Sequence, residues 1–153
     1  MNALMRGFRF IFLLILLPVL HGVAQNTPLS AFQVGGNKIH GKPVGNQTRC
    51  VHWHSKLDII AIKFKCCNQY YPCYSCHEET AFHKPEVWPK KEFDEKAIIC
   101  GVCGKELSIN DYMNCNNTCP NCTSLFNPGC SKHYHLYFET ESESLENRKS
   151  GKQ

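Results

Sequence analysis

Cysteine and histidine recur between Cys50 and Cys122 at spacings that suit metal ligation better than acid–base or nucleophilic chemistry. Cys100 and Cys103 form one C-x-x-C pair, Cys119 and Cys122 another, and fifteen residues separate the two pairs. Each pair offers two sulfurs from one tight turn to a single tetrahedral ion, so these four cysteines read as one ribbon-type structural site. Eight further candidate ligands lie upstream: Cys50, His52, Cys66, Cys67, Cys73, Cys76, His77 and His83. Together the set fills three four-coordinate sites, and the implied cofactor is Zn2+, about three ions.

The upstream eight can be divided in two ways. Sequential filling puts Cys50, His52, Cys66 and Cys67 on one ion. Interleaved filling gives Cys50, His52, Cys73 and Cys76 to one ion and Cys66, Cys67, His77 and His83 to the other. Interleaving pins distant stretches of chain together and is the favoured partition. Cys115, Cys130, His133 and His135 are left over; they read as spare thiols and packing histidines, or as a partial fourth site built on Cys130, His133 and His135. His54 reads as a surface or supporting residue and His40 as a linker residue.

Catalysis finds little footing in these residues. A catalytic zinc keeps an open coordination position and needs a base nearby, whereas the three sites proposed here are full. No H-E-x-x-H, no H-x-E with P-C-x-x-C and no nucleophile arrangement occurs. Glu78 and Glu79 are expected to serve the dipole of a short helix. The chain therefore reads as a binding or chaperone-like module and not as an enzyme.

Composition supports the metal reading. There are eleven cysteines and eight histidines, and six of the histidines share the stretch from Cys50 to His135 with every cysteine. An odd number of cysteines cannot close into disulfides, and histidines placed beside them point to metal. The net charge of +4 is not gathered into a stripe, which removes the electrostatic footprint of a nucleic-acid binder. With 153 residues the chain holds one domain and tails. Its apolar residues are concentrated in the first 20 positions and in short runs. A core that thin needs metal, and a structural zinc supplies about 10–16 kcal/mol of folding energy.

Several elements must position these ligands. Residues 1–24 form an apolar leader in which Arg6 and Arg9 precede the run Phe10 to Leu20, and the leader reads as signal peptide-like or as a mitochondrial sorting segment. The run falls short of the about 20 residues a spanning helix needs but offers a membrane contact through residues 10–20. Residues 25–39 read as a linker, 40–138 as the zinc domain and 139–153 as a disordered polar tail. Ile60, Ile62 and Phe64 alternate with Lys63 and Lys65 as a half-buried strand that delivers Cys66 and Cys67, and Tyr70-Tyr71 form its return strand. The knuckle at Cys73 or Ser75 starts a helical turn through Glu78, Glu79 and Phe82. Pro85 and Pro89 make the next stretch a connector whose Trp88 covers the metal core. Ala97 to Ile99 form a second strand, Ser108 and Asp111 cap a turn ending near Met113, and Leu136 to Phe138 are a terminal strand or packing residues. The fold class is a small zinc-dependent α+β domain of short β-hairpins and zinc knuckles with few helical turns.

The run Arg49-Cys-Val-His-Trp-His54, the paired Cys66-Cys67, the Cys73-x-x-Cys76-His77 knuckle and the two later C-x-x-C pairs resemble the CHY-type zinc finger family. The resemblance implies three zinc ions held in the interleaved partition. It also leaves open an adaptor related to the CHY-RING ubiquitin ligases but without ligase activity. The ending from Phe126 through Cys130 to Phe138 resembles the small fungal members that serve the mitochondrial intermembrane space. That likeness implies a helper of its disulfide relay, with the relay's oxidoreductase and the small Tim proteins as partners. Such a helper would remove zinc from the oxidoreductase and support Tim chaperone assembly and inner-membrane protein insertion. The apolar leader and the acceptor sequence Asn46-Gln47-Thr48 supply the alternative, an interaction module of the secretory pathway.

Overall fold

The computed structural model describes residues 32–140. The leader, the first part of the expected linker and the tail beyond Thr140 lie outside the described residues. Two short strands come first, β1 (Gln33–Val34) and β2 (Asn37–Lys38), paired antiparallel as a hairpin. Then follow β3 (Ile60–Lys63), β4 (Tyr70–Tyr71), helix α1 (Tyr74–Thr80), β5 (Lys96–Cys100), β6 (Glu106–Ser108) and helix α2 (Ile109–Met113). Two 3-10 segments, Lys90–Glu92 and Pro128–Leu136, complete the set.

Strands β3 to β6 make one antiparallel sheet in the order β4-β3-β5-β6. The register sets Ile60 opposite Cys100 and Ile62 opposite both Tyr71 and Ile98. Because side chains alternate along a strand, Ile60, Ile62, Phe64, Ile98 and Cys100 fall in the main core. Ala61, Ile99 and Tyr70 belong to a second cluster, where they meet Val34 and Ile39. The sheet is thus covered on both faces, whereas the alternating lysines predict one solvated face.

The cover comes from residues assigned to a linker. Residues 33–38 form the β1–β2 hairpin, and Val34 and Ile39 are buried. The glycines that suggest a flexible stretch have a packing role instead. Gly35 and Gly104 both sit at positive φ, and a Cβ on Gly35 would come within 2.5 Å of the Gly104 carbonyl oxygen. Only glycine lets the two backbones touch there.

Local signals account for most of the remaining elements. Asp111 N–H donates to Ser108 Oγ and Ser108 N–H to Asp111 Oδ2, a closed capping box that starts α2. Helix α1 starts at the knuckle itself: Cys73 is its N-cap and its sulfur accepts from Cys76 N–H at 3.4 Å. The helix ends at Thr80, so Phe82 lies beyond it, fully exposed. Trp88 is buried, donates from Nε1 to the Lys63 carbonyl at 2.7 Å and carries the Lys65 ammonium over its ring. Its backbone bonds to Tyr137 and Glu139 tie β3 to the C-terminal stretch, with Phe138 in the core. The run of 3-10 turns over Pro128–Leu136 replaces any strand in that stretch before Tyr137.

Candidate metal centres

Three groups of four ligand atoms converge, each group within 4.8 Å. The first is Cys50, His52, Cys73 and Cys76, the second Cys66, Cys67, His77 and His83, and the third Cys100, Cys103, Cys119 and Cys122. This is the interleaved arrangement, and sequential filling is excluded because Cys66 and Cys67 lie with His77. Helix geometry explains the split. Cys76 and His77 are consecutive on α1, so their side chains leave the helix about 100° apart and serve neighbouring clusters.

The separations test whether an ion fits. Zinc at about 2.3 Å from sulfur and about 2.0 Å from nitrogen sets tetrahedral edges of about 3.8 Å (S to S), 3.6 Å (S to N) and 3.3 Å (N to N). Cys100 and Cys122 lie 3.8 Å apart, as do Cys103 and Cys119; Cys50 and Cys73 are 3.6 Å apart and Cys66 and Cys67 4.0 Å. His52 Nδ1 is 3.5 Å from both Cys73 and Cys76, and His77 Nε2 is 3.3 Å from Cys66 and 3.2 Å from His83 Nε2. Every cysteine is a free thiol. Sulfurs this close, unbonded to one another, fit the edges of a tetrahedral zinc site.

Electrostatics point the same way. Contact with the Cys73 and Cys76 thiols holds Cys50 far below the ordinary thiol range, while contact with Cys50 and Cys76 pushes Cys73 far above it. Such buried thiols do not ionise together unless a cation sits among them. In the third cluster the Ser124 hydroxyl and backbone bring Cys122 down to about 6, whereas burial raises Cys100 and Cys119.

Turns and close backbone approaches bring the ligands of each cluster together. The turn after β3 carries Cys66 and Cys67: Asn68 N–H bonds back to the Phe64 carbonyl, and Asn68 adopts φ of 55°. That turn gathers two adjacent side chains which an extended strand would point apart. Gly41 lies against α1, where a Cβ would come within 2.7 Å of the Cys76 Cβ, so the chain can pass beside the first cluster only as glycine. Cys100 ends β5, and Gly104 N–H closes its knuckle on the Cys100 carbonyl. The facing knuckle is closed by Thr123 N–H to the Cys119 carbonyl and by Cys119 N–H to the Ser124 carbonyl.

The structure gives Glu79 partners other than the helix dipole that the sequence suggests. Glu79 is in the last turn of α1, where the N-terminal dipole is not served. Its Oε1 lies 3.0 Å from His52 Nε2, and its Oε2 lies 2.6 Å from Lys42 Nζ. Ligating histidines are commonly oriented by an acceptor on their other nitrogen. Glu79 follows Cys76 by three residues on one helix face, and that spacing is the signal that could have found it. Desolvation pulls His52 down, but Glu79 and Cys50 together keep it above its ordinary value.

The leftover residues do not assemble into a fourth group among the described residues. Cys115 donates to the Tyr112 carbonyl at 3.0 Å, Cys130 packs in the core margin where burial raises its thiol, and the His133 ring meets Trp53. His40 is no linker residue: its N–H donates to the Tyr70 carbonyl and its ring lies against Tyr71. His54 is exposed. No described helix is long and apolar enough to cross a membrane, and residues 10–20 lie outside that description.

A compact sheet whose turns converge on three Cys/His tetrads defines a small zinc-finger protein, consistent with about three zinc ions. A family model described as CHY zinc finger matches residues 50–134, and the chain belongs to that family. It is similar to Helper of Tim protein 13 of Saccharomyces cerevisiae, with 52% identity over 104 residues, covering 66% of this chain and 90% of that protein. Helper of Tim protein 13 of Kluyveromyces lactis is 47% identical over 106 residues, covering 69% of this chain and 92% of that protein. An uncharacterized protein of Schizosaccharomyces pombe is 39% identical over 101 residues, covering 66% and 88%.

Proposed function

We propose that the twelve converging side chains are the ligands of three zinc ions and that the chain is a zinc-handling assembly factor, acting by binding and not by catalysis. In this reading it works in the mitochondrial intermembrane space and takes zinc from the thiolates of a disulfide-relay oxidoreductase. The freed thiols are then reoxidised, which supports assembly of the small Tim chaperones and insertion of inner-membrane proteins. The supporting observation is the convergence of three thiolate-bearing tetrads in a chain 52% identical to a protein named for helping Tim proteins.

The chemistry is mass action. A thiolate bound to zinc is a poor electron donor to an oxidase, and a competing set of thiolates shifts the ion away from it. The apolar leader is then a sorting segment. A direct test mixes a zinc-loaded dithiol protein and a sulfhydryl oxidase with the purified full chain, first depleted of part of its zinc. Dithiol oxidation should accelerate in step with zinc transferred, and a chain already saturated should have no effect. Acceleration by the saturated chain would overturn the zinc-removal reading.

The secretory reading keeps one observation in its favour, since Asn46 of the Asn46-Gln47-Thr48 acceptor is exposed. Protease protection in intact mitochondria decides between the two. Cleavage after Ala24 together with a glycan on Asn46 would replace the mitochondrial assignment.

A further inference from the structure

The three tetrads are not held alike. Around the first, Glu79 and Lys42 brace His52, while Trp53 N–H and Cys76 N–H donate to the sulfurs of Cys50 and Cys73. Around the third, all four ligands are sulfurs on two closed knuckles, and one of these is continuous with β5 and β6. Cys103 is exposed there, yet the Cys100 to Lys105 hairpin bonds flank it on both sides. Opening that cluster means opening the sheet edge.

The second tetrad lacks these supports at two points. His77 is fully buried and stacks on Phe64 with ring centres 4.2 Å apart, but its Nδ1 has no hydrogen-bond partner. Its partner ligand His83 is exposed and lies past the end of α1. From Phe82 to Val87 the backbone makes no hydrogen bond among the described residues; the next tie is Trp88 N–H to the Tyr137 carbonyl. Among the described residues His83 makes one hydrogen-bond contact, with His77 Nε2 3.2 Å away. Phe82 beside it is wholly exposed, so no packing fixes the segment at that point. Cys66 and Cys67 are themselves half-exposed.

We propose that the tetrad of Cys66, Cys67, His77 and His83 is the exchange site of this protein, with His83 as the displaceable ligand through which zinc is handed to and from a thiolate-bearing partner. The inference rests on the zinc-handling reading above and assigns that activity to one cluster. Three ligands stay fixed: two sulfurs on the β3 turn and a buried imidazole clamped by Phe64 and Tyr71. The fourth can swing away on an unbonded segment. In the exchange a bond forms from the ion to an incoming thiolate sulfur as the bond to His83 Nε2 breaks, and the imidazole leaves as a neutral base. The other two clusters then hold the fold while this one is loaded or emptied.

The ligand sets make the test spectroscopic. The second tetrad has two sulfurs and two nitrogens, the first three sulfurs and one nitrogen, and the third four sulfurs, and cobalt absorbs differently in each set. With the full chain loaded with cobalt and challenged with EDTA, the bands of the two-sulfur, two-nitrogen set should vanish first, with the far-ultraviolet circular dichroism unchanged. In the zinc-loaded protein, His83→Cys should slow the fastest phase of release by about tenfold, and His83→Ala should remove it and leave two slow ions. Should the all-sulfur or three-sulfur bands vanish first, or His83→Cys leave the fast phase unaltered, the assignment is overturned while the zinc-handling reading stands. A freshly purified chain that binds no metal would overturn both.

Discussion

The half of the molecule built on β3, β4 and α1 and the half built on β5, β6 and α2 solve the same problem differently. The second gathers four cysteines from two knuckles close in sequence and closes each knuckle with its own backbone bonds. The first threads two mixed tetrads through one another, so that Cys50 and His52 reach Cys73 and Cys76 across more than one turn of chain while Cys66 and Cys67 reach His77 and His83. All-sulfur, locally closed coordination suits a permanent staple. Mixed coordination with an exposed histidine suits an ion that must leave. The two halves share one sheet, with β3 beside β5, and so a change at either is felt by the other.

The largest expected effect removes the distinction altogether. Stripping all zinc with a strong chelator should unfold residues 32–140 cooperatively, because each structural ion supplies about 10–16 kcal/mol of apparent folding energy to a small core. Loss of the near-ultraviolet circular dichroism of the buried tyrosines and Trp88 is the measurement, and a chain that keeps this signal without metal would refute the dependence. Next in size is a contrast between single ligands. Cys119 is fully buried, and Cys119→Ser should cost about 5 kcal/mol or prevent folding. Cys67 is half-exposed, and Cys67→Ser should leave a folded protein with one ion fewer and a smaller loss of stability than Cys119→Ser. Equal damage from the two, read by denaturant melts and elemental analysis, would erase the proposed division between staple and exchange site.

The two halves were also unequally legible. The C-x-x-C pairs at Cys100 and Cys119 declare their partner by spacing alone, and Ser108 with Asp111 declares the start of α2. The interleaved tetrads follow from the residue types and from what a helix does with consecutive ligands, but spacing alone admits the sequential partition as well. What escaped is the structure that depends on distant contact. Residues 33–38 hold strands of two residues each, too short to show a period, and the Gly35-Gly36 turn reads as linker until Gly104 is seen pressed against it. Glu79 gains its meaning from His52, 27 residues away, and only once α1 is placed. The 3-10 run after Asn127 carries no regular apolar spacing to announce it.

Glu79 sharpens the comparison within the first half. Replacing it with alanine removes the acceptor on His52 Nε2 and the partner of Lys42, while leaving all twelve candidate ligands in place. Losses of an orienting carboxylate typically weaken metal binding by about 10–100-fold. In Glu79→Ala one ion, bound in a three-sulfur, one-nitrogen set, should be held that much more weakly in competition with a chelator. Glu79→Gln, which keeps an acceptor oxygen, should fall between. An unchanged affinity would mean that His52 is oriented by its sulfur neighbours alone.

The smallest effect concerns the bond that joins the halves without metal. Tyr70 on β4 and Glu106 on β6 belong to the two outer strands, and the Tyr70 hydroxyl donates to the Glu106 carboxylate across the sheet. Burial first, and then that carboxylate, push the Tyr70 hydroxyl well above its ordinary value, and the bond holds Glu106 below the usual carboxylate range. Tyr70→Phe should cost about 1 kcal/mol at neutral pH. The sign at high pH follows from linkage. The folded chain keeps the Tyr70 proton at a pH where the unfolded chain has begun to lose it, so the contribution is complete below about 10 and is lost as pH rises further. Tyr71, Tyr112 and Tyr137 are shifted the same way but are present in both chains, so their share cancels in the difference. The stability gap between the natural chain and Tyr70→Phe, followed by denaturant melts in excess zinc, should therefore be constant from pH 7 to about 9.5 and narrow above 10. A gap that widens there would mean Tyr70 is ionised in the fold, and the link between the halves would have to be sought in the β3–β5 pairing and the Lys63–Glu106 ion pair.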